Sequence, residues 1–134
     1  DPAFTTVNKT TIDPQHFGII IQGMNDVFES GTASASRLEG LPMAGKTGTA
    51  QNPHGQDHSI FTSFAPLDKP KIAIAIIVEN GYWGSRWAAP IASLMMESYL
   101  HDTITRPDLY RRMVEGALTG EYRVNSVQTQ LPPY

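Results

Sequence analysis

Cysteine is missing from all 134 residues, which excludes both a disulfide framework and a thiolate metal site. Concentrated positive charge is missing too. Ten Lys and Arg are scattered against thirteen Asp and Glu, for a net charge of −3, and only Arg111-Arg112 adjoin. A nucleic-acid backbone would find no basic stripe here, so no nucleic-acid partner is expected. Long apolar runs are also lacking. The longest, Ile72 to Val78, falls far short of a bilayer's thickness. No signal peptide or initiating methionine precedes Asp1-Pro2-Ala3, so the chain reads as a piece of a longer polypeptide.

What is present describes a globular domain, with 40% hydrophobic and 17% charged residues. Residues 1–12 are polar and without period, and are expected to be extended. Asp13 is a good N-cap and Pro14 suits a first helical position, while Phe17, Ile20, Ile21, Met24, Val27 and Phe28 recur on one helical face. Ser30-Gly31 ends that helix. Residues 32–41 read as a loop with room for a short strand.

From Met43 the period changes to two. Strands are expected over Met43–Gln51, His58–Ala65 and Lys71–Glu79, joined by Asn52-Pro53-His54-Gly55 and by Pro66-Leu67-Asp68-Lys69-Pro70. Both connections have turn chemistry and hairpin length, so neighbouring strands should run antiparallel. In the third strand both faces are apolar, which predicts a central strand covered on both sides. A second helix is expected over Ala88–Leu100, with Trp87, Ile91, Leu94, Met95 and Ser98 as its inner stripe and Pro90 near its start. A shorter helix should span Asp108–Gly116, with Thr105 or Arg106 in its cap region. The tail, 119–134, has no period. The fold class is therefore α+β, an antiparallel sheet with flanking helices.

One stretch carries chemistry, and it satisfies two incompatible patterns. Gly40-x4-Gly45-Lys46-Thr47 fits the phosphate loop of nucleotide-binding domains, whereas Lys46-Thr47-Gly48 fits the K-T-G motif of penicillin-binding proteins and serine β-lactamases. A phosphate loop needs a buried strand before it and a helix directly after it, because helix N-terminal N–H groups hold the phosphates. Ser34 to Glu39 is no buried strand, and Gly48 and Pro53 leave no room for a helix. The K-T-G motif needs a strand, a turn and an antiparallel partner, which the periodicity supplies. An ammonium at Lys46 attracts a carboxylate, and hydroxyls of Thr47 and Thr49 can donate to it. Gly48 places no side chain between the strand and an extended peptide lying along it. A strand N–H near Thr49 can face a developing oxyanion.

Met43 to Gln51, followed by His58–Pro66, Lys71–Gly81, a closing helix and an earlier helix with Ile20-Ile21-Gln22-Gly23-Met24, resembles the C-terminal part of the transpeptidase domain of class B penicillin-binding proteins of the elongation type. The resemblance covers roughly residues 12–100, so 1–100 is read as the C-terminal portion of that domain and 101–134 as a helix and tail of unassigned role. It implies a partial β-lactamase/transpeptidase-like fold, complete as a five-stranded antiparallel sheet with helices on both faces. It also implies a periplasmic D,D-transpeptidase on the inner membrane, anchored by a helix outside this chain. Such an enzyme acylates a serine with the D-Ala-D-Ala end of a peptidoglycan stem peptide, cross-links it to another, and is acylated by β-lactams. The implied partners are stem peptides, β-lactams, the rest of the polypeptide and proteins of the cell-elongation complex, with no cofactor or metal. Lys46, Thr47, Gly48 and Thr49 carry over as substrate-binding residues, Lys46 also serving the catalytic proton network. Neither S-x-x-K nor S-x-N occurs in the chain, so this segment alone should not acylate. A non-catalytic sensing domain of the same fold is the alternative.

Other candidates are weaker. His54 and His58 have a zinc-like spacing but straddle a turn, with no third ligand evident. Trp83 and Trp87 could line a groove, although packing at the helix start is the simpler role.

Overall fold

The computed structural model describes Thr5 and residues 9–118; the tail from residue 119 onward and most of the polar opening lie outside the described residues. The chain runs α1 (Gln15–Glu29), a single 3₁₀ turn (Ser34–Ser36), β1 (Ala44–Ala50), β2 (His58–Ala65), β3 (Ile72–Val78), α2 (Ala88–His101) and α3 (Pro107–Glu115). The 3₁₀ turn takes the place where a short strand had been possible.

The three strands form one antiparallel sheet in the order β1-β2-β3, with Thr47 opposite Phe61 and Phe61 opposite Ile76. Along β2, Ser59, Phe61, Ser63 and Ala65 are buried. α2 packs against β2 and β3, while α1 lies against β1. Phe28, Met43, Phe61, Ala88, Ala92 and Met96 meet in the core between them.

Three expectations change. First, β3 is a margin of the sheet among the described residues, and β2 is the central strand. Only the face with Ile72, Ile74, Ile76 and Val78 packs on the core; Ala73, Ala75 and Ile77 are exposed, Ile77 at 67%. Apolarity on both faces marks surfaces to be covered, and the described residues cover one of them. Second, the apolar face of α1 is buried only toward its C-terminal end. Phe28 is inaccessible, whereas Phe17, Ile19 and Ile20 are 41%, 74% and 61% exposed. Asp13 does accept the Gln15 N–H, at 3.0 Å, but the helix itself begins at Gln15. Third, the buried residues of α2 are Ala88, Ala89, Pro90, Ala92, Ser93, Leu94, Met96 and Glu97. The alanines let the helix lie close to the sheet. Of the predicted stripe, Trp87 and Leu94 are buried, while Ile91, Met95 and Ser98 instead line a groove, together with Leu94 and with Tyr110 and Met113 of α3.

Helix α3 is held to the body by a buried carboxylate. Glu97 has no solvent exposure and accepts from the Thr105 N–H and hydroxyl and from the Arg106 guanidinium, at 2.9 Å from Nη2. Burial pushes the Glu97 pKa up, but the hydrogen bonds from Thr105 and Arg106 and the Arg106 charge outweigh it, leaving the carboxyl below its ordinary value. Arg106 Nη1 also donates to the Ser36 carbonyl at 3.0 Å, and the Ser93 hydroxyl donates to the same oxygen. One network thus joins α2, the start of α3 and the turn that precedes β1.

Candidate functional site

The strand runs straight through the ambiguous motif. Lys46 and Thr47 lie in the middle of β1, with no helix following them, so the anion-holding helix N-terminus that a phosphate loop requires is not there. The nucleotide-binding reading is set aside on that geometry.

What orders β1 is a close fit at its beginning. A Cβ on Gly45 would stand 2.6 Å from Phe61 Cζ and 3.0 Å from Phe28 Cε2. The missing side chain therefore makes room for two rings that meet edge-on, with centroids 5.5 Å apart and planes at 90°. Such a pair adds about 1 kcal/mol beyond its burial. Asn25, buried on α1, donates to the Met43 carbonyl at 2.8 Å and ties the helix to the chain entering the strand. Hydropathy periodicity passes over an asparagine, so this tie was not visible in the sequence.

Beyond that anchor the motif residues come into the open. Lys46 and Thr49 are exposed, and Thr47 and Gly48 are half-buried. Successive residues on a strand point to opposite faces, so Thr47 shares Phe61's face while Lys46 shares that of its partner Thr62. The Lys46 ammonium donates to the Thr47 carbonyl at 2.7 Å. The Thr47 hydroxyl is 3.0 Å from the Thr32 hydroxyl, which comes from the turn after α1. β1 has one hydrogen-bonded neighbour strand, β2, among the described residues.

The loop from β3 to α2 closes over the same part of the sheet. A Cβ on Gly84 would stand 2.4 Å from the Ile60 carbonyl oxygen and 3.2 Å from the Gly48 nitrogen, so this backbone lies directly on the strand pair. Ser59, opposite Thr49, donates to the Trp83 carbonyl at 2.9 Å and accepts from the Ala88 N–H. Trp87 is buried, in keeping with a packing role, but Trp83 is 55% exposed and its ring meets Tyr82 at 4.9 Å. Farther along, His58 Nδ1 accepts the Asn80 N–H at 3.0 Å, which places His58 in the support of the loops joining the strands.

The profile of the penicillin binding protein transpeptidase domain family matches residues 3–97, and the chain belongs to that family. Its relatives include the peptidoglycan D,D-transpeptidase MrdA of Acinetobacter baumannii, 39% identical over 94 residues, which are 59% of this chain and 14% of that protein. The peptidoglycan D,D-transpeptidase PbpA of Mycobacterium tuberculosis is 39% identical over 74 residues, 47% of this chain and 15% of that protein. Among solved structures, penicillin-binding protein 2 of Pseudomonas aeruginosa in complex with WCK 5153 superposes with a TM-score of 0.64 at 38% identity, covering 72% of this chain and 21% of that one. The imipenem acyl-enzyme complex of penicillin-binding protein A from M. tuberculosis does so with a TM-score of 0.61 at 30% identity, covering 70% and 21%. The chain thus spans about a seventh of the length of the curated relatives it matches first. The three-stranded antiparallel sheet with flanking helices is a partial transpeptidase fold.

Proposed function

We propose that this chain is the carboxylate-gripping part of a serine D,D-transpeptidase that cross-links peptidoglycan. Residues 1–100 are the C-terminal portion of the catalytic domain, and 101–134, which include the helix Pro107–Glu115, have a role of their own that is not assigned. The observation that carries this reading is the placement of Lys46-Thr47-Gly48-Thr49 on a marginal strand whose hydroxyls and ammonium remain within reach of an incoming ligand. An extended stem peptide lies along β1, where Gly48 offers no obstruction, and its terminal carboxylate meets Thr47 and Thr49 in the field of Lys46. A β-lactam, whose carboxylate is likewise set close to the bond under attack, is held in the same way.

The nucleophile and its base belong to the rest of the polypeptide, since this chain has neither S-x-x-K nor S-x-N. There the serine oxygen attacks the D-Ala-D-Ala carbonyl, D-alanine leaves with a proton, and an amine of a second stem peptide takes the acyl group from the serine. Lys46 helps organise the proton network around these groups. The remainder of the domain covers the exposed face of β3, and the activity is exercised at the periplasmic face of the inner membrane.

The test is covalent labelling by fluorescent penicillin. The intact polypeptide should become labelled at a serine outside this segment, and the 134-residue chain should not. Stable labelling of the isolated chain, or failure of a folded intact polypeptide to label, contradicts the proposal. The second of those results would favour a non-catalytic sensing role.

A further inference from the structure

We infer that Thr32 is a positioning residue for substrate-carboxylate recognition, acting through the hydroxyl of Thr47. This rests on the assignment of Thr47 to the carboxylate site. The two hydroxyl oxygens are 3.0 Å apart, and either can donate to the other. Two hydroxyls joined by one hydrogen bond have a single proton left over. If Thr32 donates, the Thr47 proton is free for the ligand; if Thr47 donates, the free proton is that of Thr32. Either way the pair presents one donor, and its bond holds the Thr47 side chain to one orientation before the carboxylate arrives. Ordering paid in advance is ordering that binding does not have to supply.

The turn that carries Thr32 is well fixed. Upstream, the Gly31 N–H donates to the Asp26 carbonyl at 2.8 Å, and the Ala33 N–H donates to that of Val27 at 2.9 Å. Ala33 is buried in the core. Downstream, the Ser36 carbonyl accepts from Arg106 and from Ser93. The turn is thereby braced by α2 and by Arg106 at the start of α3, beyond the residues 3–97 that match the family profile. Thr32 itself is exposed. A solvent-exposed hydrogen bond contributes little to fold stability, so its removal separates ligand positioning from structure.

The experiment uses the intact polypeptide and measures acylation by benzylpenicillin and by its methyl ester, in which the carboxylate charge is gone. Thr32→Val keeps the side-chain shape and should slow acylation by the free acid about five- to tenfold, with the ester little changed. Thr32→Ser should restore the rate, and Thr32→Val should add nothing in a Thr47→Val background. Equal slowing of acid and ester, or a normal rate for Thr32→Val where Thr47→Val is slow, overturns the inference while leaving the strand's role intact. A normal rate for Thr47→Val removes the carboxylate site itself, and the inference with it.

Discussion

Phe28 and Phe61 meet edge-on over Gly45, with ring centroids 5.5 Å apart. One glycine therefore lets the helix before the motif strand and the strand beside it converge at the start of β1. The position of Lys46, the next residue, depends on that convergence.

Gly45→Ala should accordingly destabilise the fold by about 1–3 kcal/mol, since the added methyl displaces both rings. Gly48→Ala behaves differently. Its Cβ would lie 3.3 Å from Ile60 Cβ, a tight contact that small adjustments relieve. That variant should keep its stability within about 1 kcal/mol yet acylate more slowly, because the methyl intrudes on the ligand's path. Denaturant unfolding and penicillin acylation of the intact polypeptide separate the two effects. Equal destabilisation by both variants would contradict the assignment.

Acid should loosen α3 before it loosens the sheet. The Glu97 pKa in the folded protein lies below its ordinary value of 4.5. Its stabilising contribution is therefore complete above that value and is lost as pH falls through the lower, folded one. Amide hydrogen exchange of Pro107–Glu115 should accelerate in that range. Glu97→Gln leaves Arg106 without its charged partner and should cost about 3 kcal/mol near neutral pH, while flattening the acid dependence. Unchanged protection of α3 in this variant would contradict the role given to the carboxylate.

The 134-residue chain on its own should be sticky. Ile19, Ile20 and Ile77 are all more than half exposed, and β3 is a sheet margin among the described residues, a combination that favours strand-to-strand association. Dye binding and light scattering should be high for the isolated chain and fall with Ile77→Lys. A monodisperse chain that binds no dye would show that these surfaces need no cover.

The strands and their antiparallel pairing were legible because alternation, bounded by Asn-Pro-x-Gly and Pro-rich turns, leaves few other conformations open. The placement of Lys46 followed from that. The inner face of α2 was legible only in part: Trp87 and Leu94 are buried as expected, but alanine carries little hydropathy, so the packing stripe of Ala88, Ala89 and Ala92 was outweighed by Ile91 and Met95, and a buried Glu97 reads as a surface residue. β3 misled for a related reason, since apolar side chains record that a surface is to be covered and not which chain segment covers it. Thr32 sits among small polar residues with no period. Only the three-dimensional course of the turn brings its hydroxyl to Thr47.

The most direct measurement is the second-order rate constant for benzylpenicillin acylation of the intact polypeptide with Lys46 replaced by alanine. Removing a charge that faces a bound carboxylate should lower it at least about thirtyfold, with thermal stability preserved because Lys46 is exposed. A rate within twofold of the wild type would contradict the account, since the ammonium on β1 would then play no part in gripping the ligand.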